Sequence, residues 1–426
     1  MQRIVKFLKY IDYSKYDISV LTVKNSLFYA YDETLKSEIP AAVNIVKSGS
    51  LDPFRLVNIF SNFIRPKSKK SAPSSMANES GASIRKLSMK IFIPDSRIFW
   101  LPFALNKLWH LHQLRSIDLL IASMPPFTAG IAGILFKKWM GVPVILDFRD
   151  AWIDNPYTPE MSTLVSQFNT KIESYCVLNA NGLIFVNPAL QEHYSTKYQP
   201  MSFTPNTCIR NGYDEEDFKQ FNSKDKSNSD SPFILGIIGS VYSQGNRPLS
   251  LLKALQEMVI ENERLENKLK LVLMGKWTAG LVKHIESFKF PRGLVELIPY
   301  QTHVNALYKA SKFDALTLSV EEDFKGSKIV TPGRIYEYLR LKRPILAICP
   351  LSSDLANVVR DHRSGEVFSF NDVEGIKNQL CQWINNKSAF KDGYKFVNIK
   401  KVSRQKQTIS LEKFIENVLD LSGREC

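Results

Sequence analysis

Cysteine is scarce in this chain, with five in 426 residues, at 176, 208, 349, 381 and 426, and no C-x-x-C pair. That excludes a disulfide framework and a zinc-site spacing, and fits reduced thiols in the cytoplasm. The six histidines form no ligand spacing and no D-x-D occurs, so no metal is expected. No run of about 18 uncharged apolar residues exists, which excludes a membrane-spanning helix. The opening Met1-Gln2-Arg3-Ile4-Val5-Lys6-Phe7-Leu8-Lys9 is too short and too charged for a signal peptide. The expected location is the cytoplasm, or the inner face of the cytoplasmic membrane as a peripheral protein.

What is present is an ordinary globular composition, 44% hydrophobic and 23% charged. This excludes a disordered chain and a collagen-like repeat. At about 150 residues per domain, two or three domains are expected. The formal charge is +14, and residues 1–110 hold 17 Lys and Arg against 8 Asp and Glu. Such a balance implies acidic partners, namely nucleotide phosphates or an anionic membrane surface. Nucleic acid is not expected, because no zinc finger, helix-turn-helix or RNP-like aromatic strand is present.

Short apolar runs alternate with helical patterns. Residues 18–22, 119–122, 142–146 and 182–186 read as buried strands, and 129–140 as a helix ending at Gly141. Strand, helix, strand at this spacing predicts a parallel sheet covered on both faces. The polar stretch 66–75 reads as a loop excursion, and 222–232 as a linker. A second α/β series follows, with strands at 233–239, 269–274, 315–320 and 344–348 and helices at 249–262 and 305–312. The expected domains are 1–221, 222–400, and a C-terminal helix at 401–426 that packs back toward the first.

Three constellations carry chemistry. Asp147-Phe148-Arg149-Asp150-Ala151-Trp152 follows a strand, at the edge where parallel sheets bind ligands. Its Asp147, Arg149 and Asp150 suit a sugar hydroxyl or a phosphate, or else a salt bridge pinning the loop. The second runs from Gly236 through Gly239 and Ser240 to Arg247. A strand entering a glycine-bearing loop with a cation suits a phosphate cradle of bare backbone N–H groups. In the third, Thr331-Pro332-Gly333-Arg334-Ile335-Tyr336-Glu337-Tyr338-Leu339, Thr331 is expected to cap a helix that Pro332 begins. Arg334 would then oppose the helix dipole unless an anion lay in front of it. Glu337, about one turn on, could grip ribose hydroxyls.

These stretches, with Ser123-Met124-Pro125-Pro126-Phe127, Asn211-Gly212-Tyr213-Asp214, Phe218 and Pro344-Ile345-Leu346-Ala347, occur in the order and spacing of bacterial family 4 glycosyltransferases, which the chain resembles from about residue 3 to about residue 370. The resemblance implies the GT-B fold, two facing Rossmann-like domains with an interdomain cleft. It implies transfer of a sugar from a nucleotide-diphosphate donor to a saccharide or lipid-linked acceptor, in surface polysaccharide biosynthesis, with retention and without a metal or other cofactor. Gly239, Ser240, Arg247, Thr331, Gly333, Arg334 and Glu337 would then hold the donor, while Asp147, Arg149 and Asp150 would serve catalysis on the acceptor side.

The chain departs from the family pattern in three places. Ser240 and Asn246 stand where many members carry Arg and Lys. Ile329 stands where the first of two glutamates would fall, Glu337 matching the second. The chain also begins within the helix that Gln2 to Tyr10 resembles, so the family's first strand and glycine-rich loop are lacking, and a start upstream of Met1 is expected. The alternative is a non-catalytic GT-B homologue that binds a nucleotide sugar or scaffolds a polysaccharide-assembly complex.

Overall fold

The computed structural model describes residues 2–24, 33–51, 92–155, 161–219, 231–239, 241, 245–262, 264–323 and 325–423. The polar stretch at 66–75, most of that at 222–232, and Ser240 lie outside them. The chain divides into two compact units, Met1–Ile209 with Thr408–Cys426, and Arg210–Gln407.

The first unit contains α1 (Gln2–Tyr10), β1 (Ser19–Val23), α2 (Glu33–Ser37), β2 (Asn44–Ser48), α3 (Leu101–Leu114), β3 (Leu120–Met124), α4 (Thr128–Met140), β4 (Val144–Phe148), α5 (Thr163–Asn179), β5 (Gly182–Phe185), α6 (Pro188–Lys197) and β6 (Asn206–Cys208). Strands β3, β4, β5 and β6 form a parallel sheet in that order, and β1 pairs with β2 separately. Every residue of β4 and β5 is buried, as expected of parallel strands covered on both faces. On one face Ile145 and Ile184 meet Phe7 of α1 and Leu411, Phe414 and Ile415 near the C-terminus. On the other, α4 packs so closely that a Cβ at Gly133 would lie 3.1 Å from Val144. Gly141 ends α4 in the left-handed conformation, φ +72°, where glycine carries no Cβ penalty. The aromatic stretch before α3 is divided. Trp100 is buried and its indole donates to Ser48 Oγ at 2.6 Å, while Phe99 is partly exposed.

The second unit contains β7 (Phe233–Ile238), α7 (Leu249–Glu261), β8 (Leu269–Gly275), α8 (Ala279–Ser287), β9 (Val295–Pro299), α9 (His303–Ala310), β10 (Ala315–Ser319), α10 (Arg334–Leu341), β11 (Ile345–Ile348), α11 (Asp354–Asp361), β12 (Gly365–Phe368), α12 (Val373–Asn385) and the start of α13 (Arg404–Leu421). Its six parallel strands run in the order β12-β11-β10-β7-β8-β9. Alternate residues of β8 bury opposite ways. Leu271 and Leu273 join Leu255 and Trp383, whereas Val272 and Met274 join Leu318 and Tyr338. The order reverses between β7 and β10, so their carboxyl ends form the switch point at which doubly wound sheets bind ligands. The α/β class expected from the alternation of runs is the class observed. Among the described residues no helix is long and apolar enough to cross a membrane.

Candidate functional site

The switch point of the second unit is built by two glycines and an arginine. β7 ends at Ile238, and Gly239 turns the chain at φ +100° while its N–H donates to Met274 O at 2.7 Å. A Cβ at Gly239 would lie 2.6 Å from Cζ of Arg334, and one at Gly275 would lie 2.1 Å from Gly239 O. Only bare backbone allows three segments this close. Helix α10 is anchored beneath by Tyr338, whose hydroxyl accepts from Ile238 N at 3.2 Å.

Arg334 and Glu337, three residues apart, share one face of α10. Nε2 of His303 lies 3.5 Å from Glu337 Oε1 and 3.3 Å from Asp217 Oδ2. Burial pushes the Glu337 carboxyl above its ordinary value; His303 pulls it back, Asp217 adds to the rise, and Arg404 and Arg334 oppose it. The result is a carboxylate beside a cation, both on a helix that begins at the switch point.

The helix starts later than the sequence suggests. Gly333, not Thr331, is the N-cap and Arg334 the first helical residue. The Thr331 hydroxyl donates to the Asp354 carboxylate, which also takes Arg210 in a bidentate pair at 2.8 and 2.9 Å. A charged acceptor draws the hydroxyl more strongly than a capping position can. Pro332 supplies the carbonyl for Ile335 N at 3.0 Å. Gly333 borders Asn211, whose side-chain oxygen accepts from Arg404 at 3.4 Å.

Arg247 is also placed differently from the expected phosphate cation. Its Nε and Nη2 donate to the two oxygens of Glu321 at 2.9 and 2.6 Å. Glu321 Oε1 further accepts from Gly245 N and Arg247 N, both at 2.9 Å. The pair ties the glycine loop to the end of β10 and neutralises the arginine. Glu321 carried no role in the sequence reading. Its position just past a buried strand, the same signal that marked Asp147, could have found it.

In the first unit, Asp147 lies within β4 and is 1% exposed. Arg3 of α1 donates Nη2 to Oδ1 at 2.9 Å and Nε to Oδ2 at 3.2 Å, and Ser123 Oγ donates to Oδ2 at 2.9 Å. The carboxylate expected to serve catalysis is thus filled by a helix anchor and a neighbouring strand. Arg149 donates Nε to Met124 O at 3.2 Å and Nη2 to Pro125 O, holding the loop that follows β3. Asp150 differs from both. Among the described residues no hydrogen-bond donor reaches its half-buried carboxylate, and burial, opposed by Arg149, pushes it up to about 6. Trp152 fixes the loop's far end, stacked on Phe127 at 4.7 Å, with its backbone N–H donating to the Tyr194 hydroxyl at 3.1 Å and its indole N–H to Asn169 Oδ1 at 3.3 Å.

No protein-family model matches the chain, and no curated protein matches its sequence. Solved structures match its fold. Anabaena HepE in complex with UDP and glucose aligns with a TM-score of 0.61 at 13% identity, covering 97% of this chain and 95% of that one. A mutant of S. aureus TarM in complex with fondaparinux, alpha-GlcNAc-glycerol and UDP aligns at 0.57 and 14%, covering 98% and 96%. The lipopolysaccharide outer core galactosyltransferase WaaB aligns at 0.52 and 11%, covering 91% and 86%. At such identities likeness speaks for the fold alone, and the fold is α/β GT-B.

Proposed function

We propose that the chain is a glycosyltransferase moving a sugar from a nucleotide-diphosphate donor to a saccharide or lipid-linked acceptor. The observation that carries this reading is the meeting of Gly239 and Arg334 at the switch point of a doubly wound sheet, with Glu337 one step further along α10. Bare backbone and a guanidinium suit a diphosphate, and a carboxylate one helical step away suits the vicinal hydroxyls of the adjoining ribose. UDP in the HepE and TarM complexes supports a nucleotide here, and the galactosyltransferase WaaB supports transfer.

In this reading the second unit holds the donor. Gly239, Gly333 and Arg334 face the diphosphate and Glu337 the ribose, while Arg247 and Thr331 hold the surrounding loops in shape. Ser240, next in sequence to Gly239, is assigned to the donor side from the sequence alone. The first unit holds the acceptor, with Asp150 the group left for chemistry and Asp147 and Arg149 positioning its loop. Retention, metal independence, a role in surface polysaccharide biosynthesis, membership of family 4 and a peripheral place at the inner membrane face follow from the sequence resemblance and charge. The engagement of Arg247 by Glu321 favours a second reading, a homologue that binds the nucleotide sugar without turning it over.

The test is a thermal-shift panel of UDP, GDP, dTDP and CMP, since a ligand at 100 times its Kd adds about 2.7 kcal/mol. With the nucleotide so identified, Glu337→Ala should weaken diphosphate binding by about 10- to 100-fold. The loss should be much smaller for the 2′,3′-dideoxy analogue. Equal losses for both nucleotides would make Glu337 structural. Donor turnover with acceptor then separates the enzyme from the binding-only homologue.

A further inference from the structure

Helix α5 buries polar side chains beside Cys176 and Val177 and leaves a second apolar face outside. Its inward face carries Asn169 and Glu173, each 1% exposed. These satisfy a polar network in which Glu173 accepts from the Tyr198 hydroxyl and from Lys197 Nζ, both at 2.7 Å, and from the Tyr194 hydroxyl. Its outward face carries Leu164, Phe168, Tyr175 and Leu178, of which Leu164 is 75% and Phe168 62% exposed. Neighbouring α4 buries an apolar face and also leaves apolar side chains outside. Gly130 and Gly133 press on the sheet, while Leu135 and Trp139 point away, Trp139 58% exposed. Between the two helices lies a cavity of about 410 Å³ lined by Ile98, Ile131, Leu135, Phe168, Ile172 and Tyr175, among others.

A contiguous apolar face of this kind marks an interaction surface. Its charges identify the partner. α4 contains no Asp or Glu, and the single acid of α5, Glu173, is buried within the network above. Lys138 and Lys171 are exposed and make no ion pair among the described residues. Lys137 is drawn aside to cap α5 through Asn179 O at 2.7 Å. Asp95, on the segment that supplies Ile98, is taken up by the N–H groups of Arg97 and Thr128 and by the Thr128 hydroxyl, so two copies meeting through this patch about a twofold axis would set Lys138 and Lys171 against their own copies without a carboxylate of α4 or α5 to pair them. An anionic lipid surface answers both features, because headgroups meet the lysines and acyl chains receive the aromatics, with Trp139 and Tyr175 suited to the interface.

We infer that the outer face of α4 and α5 is the surface by which this protein sits on an anionic membrane, its groove receiving lipid acyl chain. The inference deepens the peripheral-membrane part of the reading above by naming the surface, and it needs no transferase activity.

The experiment is co-sedimentation of the full chain with vesicles of phosphatidylcholine alone and with phosphatidylglycerol added, at fixed salt. The parent should prefer the anionic vesicles. Phe168→Glu with Trp139→Glu should lower partitioning by about tenfold or more. Lys138→Ala with Lys171→Ala should lower the anionic preference by about fivefold per lysine. Ile260→Glu, at an exposed apolar position of α7 in the other unit, should change nothing. Near-UV circular dichroism confirms that each variant is folded. If the glutamate variant binds as the parent does, this surface is wrong and the peripheral reading stands on another. If the parent binds no vesicle, both fall. A parent dimer made monomeric by the glutamates would assign the face to a second copy and overturn the inference.

Discussion

The guanidinium of Arg334 lies against the α-carbon of Gly239, so that a single added methyl would come within 2.6 Å of its central carbon. Gly239 also holds φ +100°, so Gly239→Ala should strain the backbone by about 1–3 kcal/mol and push Arg334 aside. Nucleoside-diphosphate binding should fall by about tenfold or more if Arg334 contacts the diphosphate. The two positions should also be coupled, Gly239→Ala costing little binding in an Arg334→Ala background. Isothermal titration of the four proteins measures this, and strictly additive losses would show that the residues act apart.

The Arg3–Asp147 pair is buried on both sides, 2% and 1% exposed. Removing one partner strands a charge, so Arg3→Met should destabilise the first unit by about 3–5 kcal/mol. Replacing both partners, Arg3→Met with Asp147→Leu, should recover much of that loss, since a well-packed apolar pair carries no desolvation penalty. Hydrogen exchange of the β4 amides reports it. A double variant exchanging as fast as the single would mean that the pair contributes more than mutual charge compensation.

Asp150 is ordinary at 3.8 when exposed but is pushed to about 6 in the fold. Between those values the unfolded chain ionises while the folded one keeps its proton, so stability falls as pH rises through the interval. Asp150→Asn, neutral throughout, should therefore gain thermal stability over the parent as pH climbs from about 4, with the gain complete above about pH 6. If Asp150 serves the acceptor side, the same variant should impair transfer more than nucleotide binding. A gain confined to acid pH would reverse the sign and remove burial as the cause.

Much of the scaffold is legible because local chemistry decides it. The runs at 142–146 and 182–186 contain no polar residue to face water, and they become the fully buried β4 and β5. Gly141 closes α4 where the helical pattern stops. Strand order is different, because β10 sits beside β7 through contacts some 80 residues apart and no local pattern encodes that.

The same divide runs through the candidate site. Gly239 and Arg334 were each visible as motif residues, and the structure brings them together. Arg247 looked like a cation awaiting a phosphate because Glu321, 74 residues on, is out of local view. Thr331 had the sequence of a cap, and only the fold reveals Asp354 competing for its hydroxyl. Leu164, Phe168, Ile172 and Tyr175 carry the spacing of a core-facing stripe, yet the opposite face of α5 is the one that is buried, because Asn169 and Glu173 have partners waiting there in Trp152, Tyr194, Lys197 and Tyr198.

Helix α13 changes allegiance partway, its first residues belonging to the second unit and those from Thr408 onward to the first. Leu411, Phe414, Ile415, Val418 and Leu419 fill the face of the β3–β6 sheet opposite α4. On the ribosome, the first unit emerges early but lacks those side chains until all of 210–407 has been made. At roughly 5–20 residues per second, its apolar face waits on the order of 10–40 s for its lid. The last helix thus acts as a closing latch, and synthesis of the first unit is finished only when the second has been completed.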